Sequence, residues 1–76
     1  MSQREKMDRY NVASSNITSI GYDQPNMTLE VEFLNGRIYQ YYNVPVNMYD
    51  EIMRAPSKGR FLHTYIRNAY PYSQVG

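Results

Sequence analysis

Basic residues gather at one predicted helix start, in the segment Ser57-Lys58-Gly59-Arg60, with Arg54 just before it. The free backbone N–H groups and the positive dipole end of a helix start favour an anion, and the two cations of the segment add charge there. Gly59 would let a ligand approach the backbone. These residues therefore predict a site for phosphate-bearing ligands. An ordinary structural role stays open, in which Ser57 only caps the helix and the cations are solvated.

A stripe of cationic side chains continues along the same predicted helix. Arg60, His63 and Arg67 are spaced so that they share one helical face. No Asp or Glu follows Glu51, whereas residues 20–53 carry five acids against a single Arg. Such a stripe is commonly just the solvated face of a helix, but the missing acids leave these cations with few local partners. The net charge of +1 thus hides an uneven distribution that favours an anionic partner.

Two tyrosines, Tyr39 and Tyr41, occupy alternate positions of a predicted strand and would point to the face opposite the assigned core. Exposed aromatic side chains beside cations are how many modules stack nucleic-acid bases. Glu30 and Glu32 are predicted to stand opposite this pair, where their carboxylates would repel a phosphate backbone. A packing role beneath the helices is therefore the open alternative for at least one of the two tyrosines.

Composition argues against catalysis and against a metal site. The chain has no cysteine and one histidine, so it offers neither thiolate ligands nor several candidate bases. A chain this short is not expected to form a deep pocket unless it oligomerises. The lack of cysteine fits a reducing cytoplasm, and no apolar run approaches the roughly 20 residues of a membrane span. We therefore expect a soluble cytoplasmic binding protein without enzyme activity, cofactor or metal.

The strands that must position these residues follow from a period of two. Thr28–Leu34 alternates apolar and polar residues, Asn35-Gly36 is a strong hairpin signal, and Arg37–Tyr42 is the return strand. With Ile17–Tyr22, these segments predict a three-stranded antiparallel β-meander.

A two-residue turn would fix the register of this hairpin, because it pairs Leu34 with Arg37. Val31 would then face Gln40. The predicted register places five apolar residues on the core face and leaves Gln40 among them as a polar exception: Leu29, Val31, Phe33, Ile38 and Tyr42.

Two short α-helices are predicted to follow the meander and to pack on one of its faces. Asn47 can cap a helix over Met48–Arg54, and Ser57 can cap a second helix over Lys58–Asn68. The apolar side chains of the second segment fall on one side of the helix. The sequence therefore predicts an α+β fold of two layers.

Seventy-six residues make at most one domain. The predicted elements place that domain at residues 14–72. Residues 1–13 are expected to form a flexible N-terminal segment and residues 73–76 a polar tail.

Several short motifs occur in a fixed order along the chain: Ser15 with Ile17, Ile20-Gly21-Tyr22-Asp23, Leu29-Glu30-Val31-Glu32-Phe33, Gly36, Tyr39-Gln40-Tyr41, Val44-Pro45, Tyr49, Ser57-Lys58-Gly59 and Ile66-Arg67. In this set the chain resembles the KTSC family, small domains named for the C-terminal region of lysyl-tRNA synthetase and also found as stand-alone bacterial and phage proteins. The resemblance runs from about Ser14 to Tyr70 and implies a fold consistent with a meander and helices. It suggests RNA binding only through the family's occurrence on a tRNA enzyme.

Three functions stay open at this point. The first is non-catalytic binding of nucleic acid, RNA in particular, with cations on phosphates and a tyrosine on a base. The second is sequestration of a small nucleotide signal, and the third is a protein-interaction module whose opposite charges favour a homo-oligomer. The residues predicted to bind the ligand are Tyr39, Tyr41, Arg54, Ser57, Lys58, Gly59, Arg60, His63 and Arg67.

Overall fold

The computed structural model describes residues 7–76, and it has one antiparallel sheet of five strands with helices packed on one face. The strand order in the sheet is the order in the chain. The elements are β1 (Arg9–Asn11), β2 (Ile17–Asp23), β3 (Thr28–Phe33), β4 (Ile38–Tyr41), α1 (Val46–Arg54), α2 (Lys58–Phe61), a π-helical segment (Leu62–Ile66) and β5 (Tyr72–Gln74). The α+β class is confirmed, whereas the predicted count of three strands is wrong.

The two additional strands lie at the sheet edges, in segments where the sequence predicts little or no regular structure. β1 pairs with β2, and β5 pairs with β4. Each has only three residues, which is too short for an alternating apolar pattern to be recognised. The predicted flexible segment and the predicted polar tail therefore each contribute to an edge strand. The part of the flexible segment before Met7 lies outside the described residues.

The hairpin between β3 and β4 has a three-residue loop instead of the predicted two-residue turn. The Phe33 N–H donates to the Arg37 carbonyl at 2.9 Å, and the Gly36 N–H donates to the Phe33 carbonyl at 2.9 Å. Asn35 accepts the Arg37 N–H through its side-chain oxygen. Gly36 takes a φ of +90°, which a glycine adopts without steric strain. Asn-Gly therefore fills the last two positions of a longer loop.

This loop shifts the register by one residue from the prediction. Val31 pairs with Tyr39, and Glu30 pairs with Gln40. Because side chains alternate with a period of two, the shift exchanges the two faces of β4. Gln40 thereby leaves the core face, and the polar exception disappears. The residues that move to the outer face are Ile38, Gln40 and Tyr42, and those that join the helix-facing side are Tyr39 and Tyr41.

The core lies between the sheet and the helices. Leu29 and Val31 are fully buried, as predicted, and they pack with Ile52 of α1 and Ile66 of the π-helical segment. Phe33 is half-buried at the margin of this cluster. Burial of each large aliphatic side chain stabilises the fold by roughly 1.5–3 kcal/mol. The helices are therefore held mainly by their apolar faces.

The second helix combines α2 with the π-helical segment, so that it spans residues 58–66. Ser57 caps it as predicted, because its hydroxyl accepts the Arg60 N–H at 3.3 Å. The Arg67 N–H reaches back five residues to the Leu62 carbonyl at 2.8 Å, the bond that defines a π turn. The first helix differs from its prediction, because α1 begins at Val46 and Asn47 lies inside it.

β1 passes directly against Gly21 of β2. A Cβ atom at position 21 would lie 2.3 Å from the Asp8 backbone oxygen and 2.9 Å from the Arg9 Cγ. We expect Gly21→Ala to push β1 off the sheet and to lower the free energy of unfolding by about 2 kcal/mol, as overpacking does. Urea unfolding measures the loss, and hydrogen exchange locates it. Unchanged protection of the β1 amides would contradict this contact.

A candidate ligand-binding cleft

An open cleft of about 860 Å³ lies between the β4–β5 side of the sheet and the second helix. Its size falls within the range of small-molecule sites, roughly 300–1,000 Å³. The site is an open cleft formed by one chain, so the expectation that a deep pocket would need an oligomer stays a prediction. Most of the residues predicted to bind the ligand line this cleft: Tyr39, Tyr41, Ser57, Gly59, Arg60, His63 and Arg67.

One wall of the cleft is aromatic. The Tyr39 ring lies 5.6 Å from that of Phe33 in an edge-on arrangement, and 5.8 Å from that of Tyr72 between ring centroids. Tyr41 lies 5.8 Å from Tyr72 and is only 4% exposed, whereas Tyr72 is 56% exposed. The prediction that Tyr39 and Tyr41 stand on the face opposite the core is wrong. Tyr41 has the packing role that the sequence left open, and Tyr72 offers the accessible ring.

The ionisation of the Tyr41 phenol depends on its buried position in this wall. Burial, the largest cause, and the neighbouring Tyr39 raise the pKa of Tyr41 above the usual value of about 10. The Arg67 guanidinium, which also lines the cleft, lowers the pKa of Tyr41 and so acts in the opposite direction. Tyr41 is therefore neutral at physiological pH and keeps its hydroxyl proton.

The other wall carries the predicted stripe of cations. Arg60, His63 and Arg67 are all exposed, and the Arg67 guanidinium donates to His63 Nδ1 at 3.3 Å. Within residues 7–76, salt bridges join only Arg9 to Glu30 and Glu32. Carboxylates of the described chain therefore leave both arginines of the cleft available to an anion.

Two predicted site residues lie elsewhere. The Lys58 ammonium donates to the Ala55 carbonyl at 2.9 Å and so ties the start of α2 to the end of α1. Arg54 donates to the Asp50 carbonyl at 3.4 Å on α1. Neither side chain lines the cleft. The helix start therefore supplies Ser57, Gly59 and Arg60 to the site, but Lys58 and Arg54 do not contribute to it.

The acidic side chains that argued against phosphate binding lie on the outer face of the sheet, away from the cleft. Glu30 pairs with Arg9 and accepts the Gln40 side-chain amide at 2.8 Å. Glu32 accepts the Ser19 hydroxyl at 2.9 Å and lies 3.6 Å from Arg9. This outer-face network keeps both carboxylates away from the aromatic wall. The predicted repulsion of a phosphate backbone is therefore removed.

Neither a metal site nor a membrane span is formed by the part of the chain that the structure describes. His, Asp and Glu side chains of residues 7–76 do not meet in a group of three or more that could hold an ion. The helices in this range lack the length and apolar character needed to cross a bilayer.

The KTSC domain model matches residues 13–70 of the chain. The chain belongs to the KTSC domain family. The crystal structure of a KTSC domain protein from Yersinia pestis is 42% identical and superposes with a TM-score of 0.87, covering 93% of this chain and 100% of that one. The resemblance inferred from the sequence motifs is confirmed.

Relatives of this KTSC domain occur in two settings. A lysine–tRNA ligase of Nostoc is 38% identical over 59 residues, which are 78% of this chain and 10% of the ligase. An uncharacterized protein of Stutzerimonas stutzeri is 41% identical over 70 residues, 91% of this chain and 99% of that one. The chain thus spans about a tenth of the ligase that it matches and nearly all of the small relative.

Two motifs of the KTSC domain meet at the cleft. Tyr39-Gln40-Tyr41 places its tyrosines in the aromatic wall and turns Gln40 to the outer-face network. Ser57-Lys58-Gly59 starts the second helix, where Gly59 passes close to Asn16. A Cβ atom on this glycine would lie 3.3 Å from the Asn16 side-chain nitrogen, so the small residue also serves packing.

Several residues that line the cleft were not predicted from the sequence to bind a ligand. They lie in loops, in β5 or in the core, where no cationic stripe or alternating tyrosine marks them as ligand-binding. The Asn-Gly signal located the hairpin loop but not its place beside the second helix. These residues are Ser15, Asn16, Phe33, Leu34, Asn35, Leu62 and Tyr72.

Proposed function

We propose that this KTSC domain is a non-catalytic, cytoplasmic binding module for phosphate-bearing ligands, with RNA as its principal ligand. The observation that carries the proposal is a single cleft with an aromatic wall on the sheet and three basic side chains on the second helix. An aromatic ring stacks on a base, and guanidinium groups bind phosphate oxygens. The relatives named lysine–tRNA ligase support RNA as the ligand, since that name specifies tRNA as their substrate.

Single-stranded RNA suits the cleft better than a duplex does. A base can stack on the exposed ring of Tyr72 only when it is splayed out of its own helix. The concave site lies between a sheet and a helix, so a rigid duplex cannot bring its base faces to that ring. The ligand is therefore a loop, an end or an unpaired segment.

The affinity of this site should be modest and should depend on salt. Each phosphate contact on a single strand contributes about −0.7 to the slope of log K against log salt concentration. Two contacts to Arg60 and Arg67 give a slope of about −1.4, with micromolar binding at low salt. Fluorescence anisotropy of a labelled ten-nucleotide RNA measures both quantities. Equal affinity for a duplex of the same length, or no binding at low salt, would contradict the proposal.

A small nucleotide is the second candidate ligand, and the volume of the cleft favours it. About 860 Å³ suits a small ligand, and one chain forms this space alone. A nucleotide would use the same ring and the same guanidinium groups. Displacement of labelled RNA by micromolar nucleoside monophosphate would favour a small nucleotide as the ligand. Displacement only at millimolar concentrations would favour single-stranded RNA.

Tyr72 is expected to be the main stacking residue. Tyr72→Ala should weaken binding of the single-stranded RNA by about 1–3 kcal/mol, because one base loses its aromatic partner. Tyr65→Ala is the matched control, since Tyr65 is equally exposed at 54% but does not line the cleft. Anisotropy titrations of the two variants give the comparison, and amide spectra check that β5 stays paired. Equal losses in both variants would exclude the stacking role.

A further inference from the structure

The two ends of the cleft differ in chemistry. Arg67 and Tyr41 both line the cleft, where the second helix and β4 finish. Asn16 lies at the opposite end, because its carbonyl accepts the Leu34 N–H at 3.0 Å and a Cβ atom at position 59 of the helix start would lie 3.3 Å from its side-chain nitrogen. The end at Arg67 thus combines a guanidinium with the rings of Tyr41 and Tyr72, whereas the end at Asn16 presents amide and hydroxyl groups beside Arg60. A ligand with a phosphate and a polar base would be oriented by this difference.

The Asn16 backbone is held in place, and its side chain is still available. Its backbone N–H donates to the Ser14 hydroxyl at 3.2 Å, and its carbonyl bonds to Leu34 of the hairpin loop. Among residues 7–76, no hydrogen bond engages its side-chain amide, which is exposed and lines the cleft. Asn35 differs, because its side-chain oxygen already accepts the Arg37 N–H at 2.9 Å. Asn16 therefore presents both a donor and an acceptor in the cleft.

A planar amide that offers a donor and an acceptor side by side matches the edge of a nucleobase. Asn and Gln form such two-point contacts with adenine, and single-stranded RNA is read on base edges in the same way. We propose that Asn16 reads the edge of a base whose neighbouring phosphate lies at Arg67, so that the cleft discriminates between bases. This inference rests on the proposed function and names the residue that gives the site its sequence preference.

Four RNA pentamers, each of a single base type, test this role. The wild-type domain should bind the tightest at least about fivefold more strongly than the weakest, which corresponds to one good two-point base contact. Asn16→Ala should reduce this spread to less than about twofold while leaving the salt slope unchanged. Asn68→Ala is the matched control, because Asn68 is exposed and does not line the cleft.

A second variant keeps the shape of the side chain, which guards against a packing defect next to Gly59. Asn16→Asp replaces the amide donor with an acceptor and should change which pentamer binds most tightly, in addition to a general weakening by its charge. Amide spectra of both variants confirm folding. Equal binding of the four pentamers by the wild type, or an unchanged spread in Asn16→Ala, would overturn the inference alone. Absence of binding to all four would overturn the proposed function together with it.

Discussion

Replacing Arg60 and Arg67 together by Gln should weaken binding of a short single-stranded RNA on the order of 150-fold. Hydrogen bonds to charged groups contribute roughly 1.5–3 kcal/mol each, and exposure places these two near the lower limit. Since each lost phosphate contact removes about 0.7 from the salt slope, the slope should become shallower by about 1.4. Anisotropy titrations at several salt concentrations measure both effects.

The matched control for this double variant is Arg37→Gln with Arg54→Gln. This control also removes two positive charges, but from exposed positions outside the cleft. The control should retain most of its affinity and nearly all of its salt slope, because only long-range attraction is lost. An equal loss in the two double variants would show that net charge, and not the cleft, determines binding.

Arg9→Ala should lower the free energy of unfolding by about 3 kcal/mol. Arg9 is the positive charge that pairs with Glu30, whose side chain is only 9% exposed on the outer face. Removing it leaves a nearly buried carboxylate with the Gln40 amide as its remaining hydrogen-bond partner. Breaking a buried ion pair from one side is strongly destabilising. A domain of this length has a total free energy of unfolding of roughly 4–11 kcal/mol, so this variant should lose a large part of its stability.

Urea unfolding of three variants tests the role of Arg9. Arg37→Ala is the control, since it removes the same charge from an exposed position and should change stability by less than about 0.5 kcal/mol. Arg9→Met combined with Glu30→Leu should recover much of the loss, because apolar residues of similar volume can replace a buried pair. Stability of Arg9→Ala equal to that of the control would contradict the structural role of the outer-face network.

The central strands and the apolar face of the second helix could be predicted because their periodicity is strong. Leu29 and Val31 alternate with polar residues, and Leu62 and Ile66 recur at helical spacing. Each pattern allows only one buried face. The same argument does not apply to β1 and β5, since three residues carry no usable period and are ordered by pairing with strands already formed.

The register of the hairpin could not be settled from Asn35-Gly36 alone. This dipeptide fits a two-residue turn and also the end of a three-residue loop. Apolar residues occur on both faces of β4, so only the polar residue Gln40 could distinguish the two registers. Gln40 would have been buried without its partner in the predicted register, whereas in the observed one it donates to Glu30. The presence of Gln40 among the predicted core residues was therefore the sign that the predicted register was off by one residue.

Some of the residues that line the cleft were predicted from the sequence, but not all of them reach it from the side that was expected. Arg60, His63 and Arg67 line it because the opposite face of the second helix is apolar and packs on the sheet. Tyr39 and Tyr41 reach it from the core side, not from an exposed sheet face as expected. Tyr72 and Asn16 come from an edge strand and a loop, and only the folded chain brings them to the same site.

The most direct test of the cleft as the binding site is an amide NMR titration with a short single-stranded RNA at two salt concentrations. The proposal predicts shifts at Asn16, Tyr39, Arg67 and Tyr72 that fade at the higher salt concentration, with the outer-face residue Glu30 unmoved. Shifts confined to the outer face, or no shifts at low salt, would contradict the account.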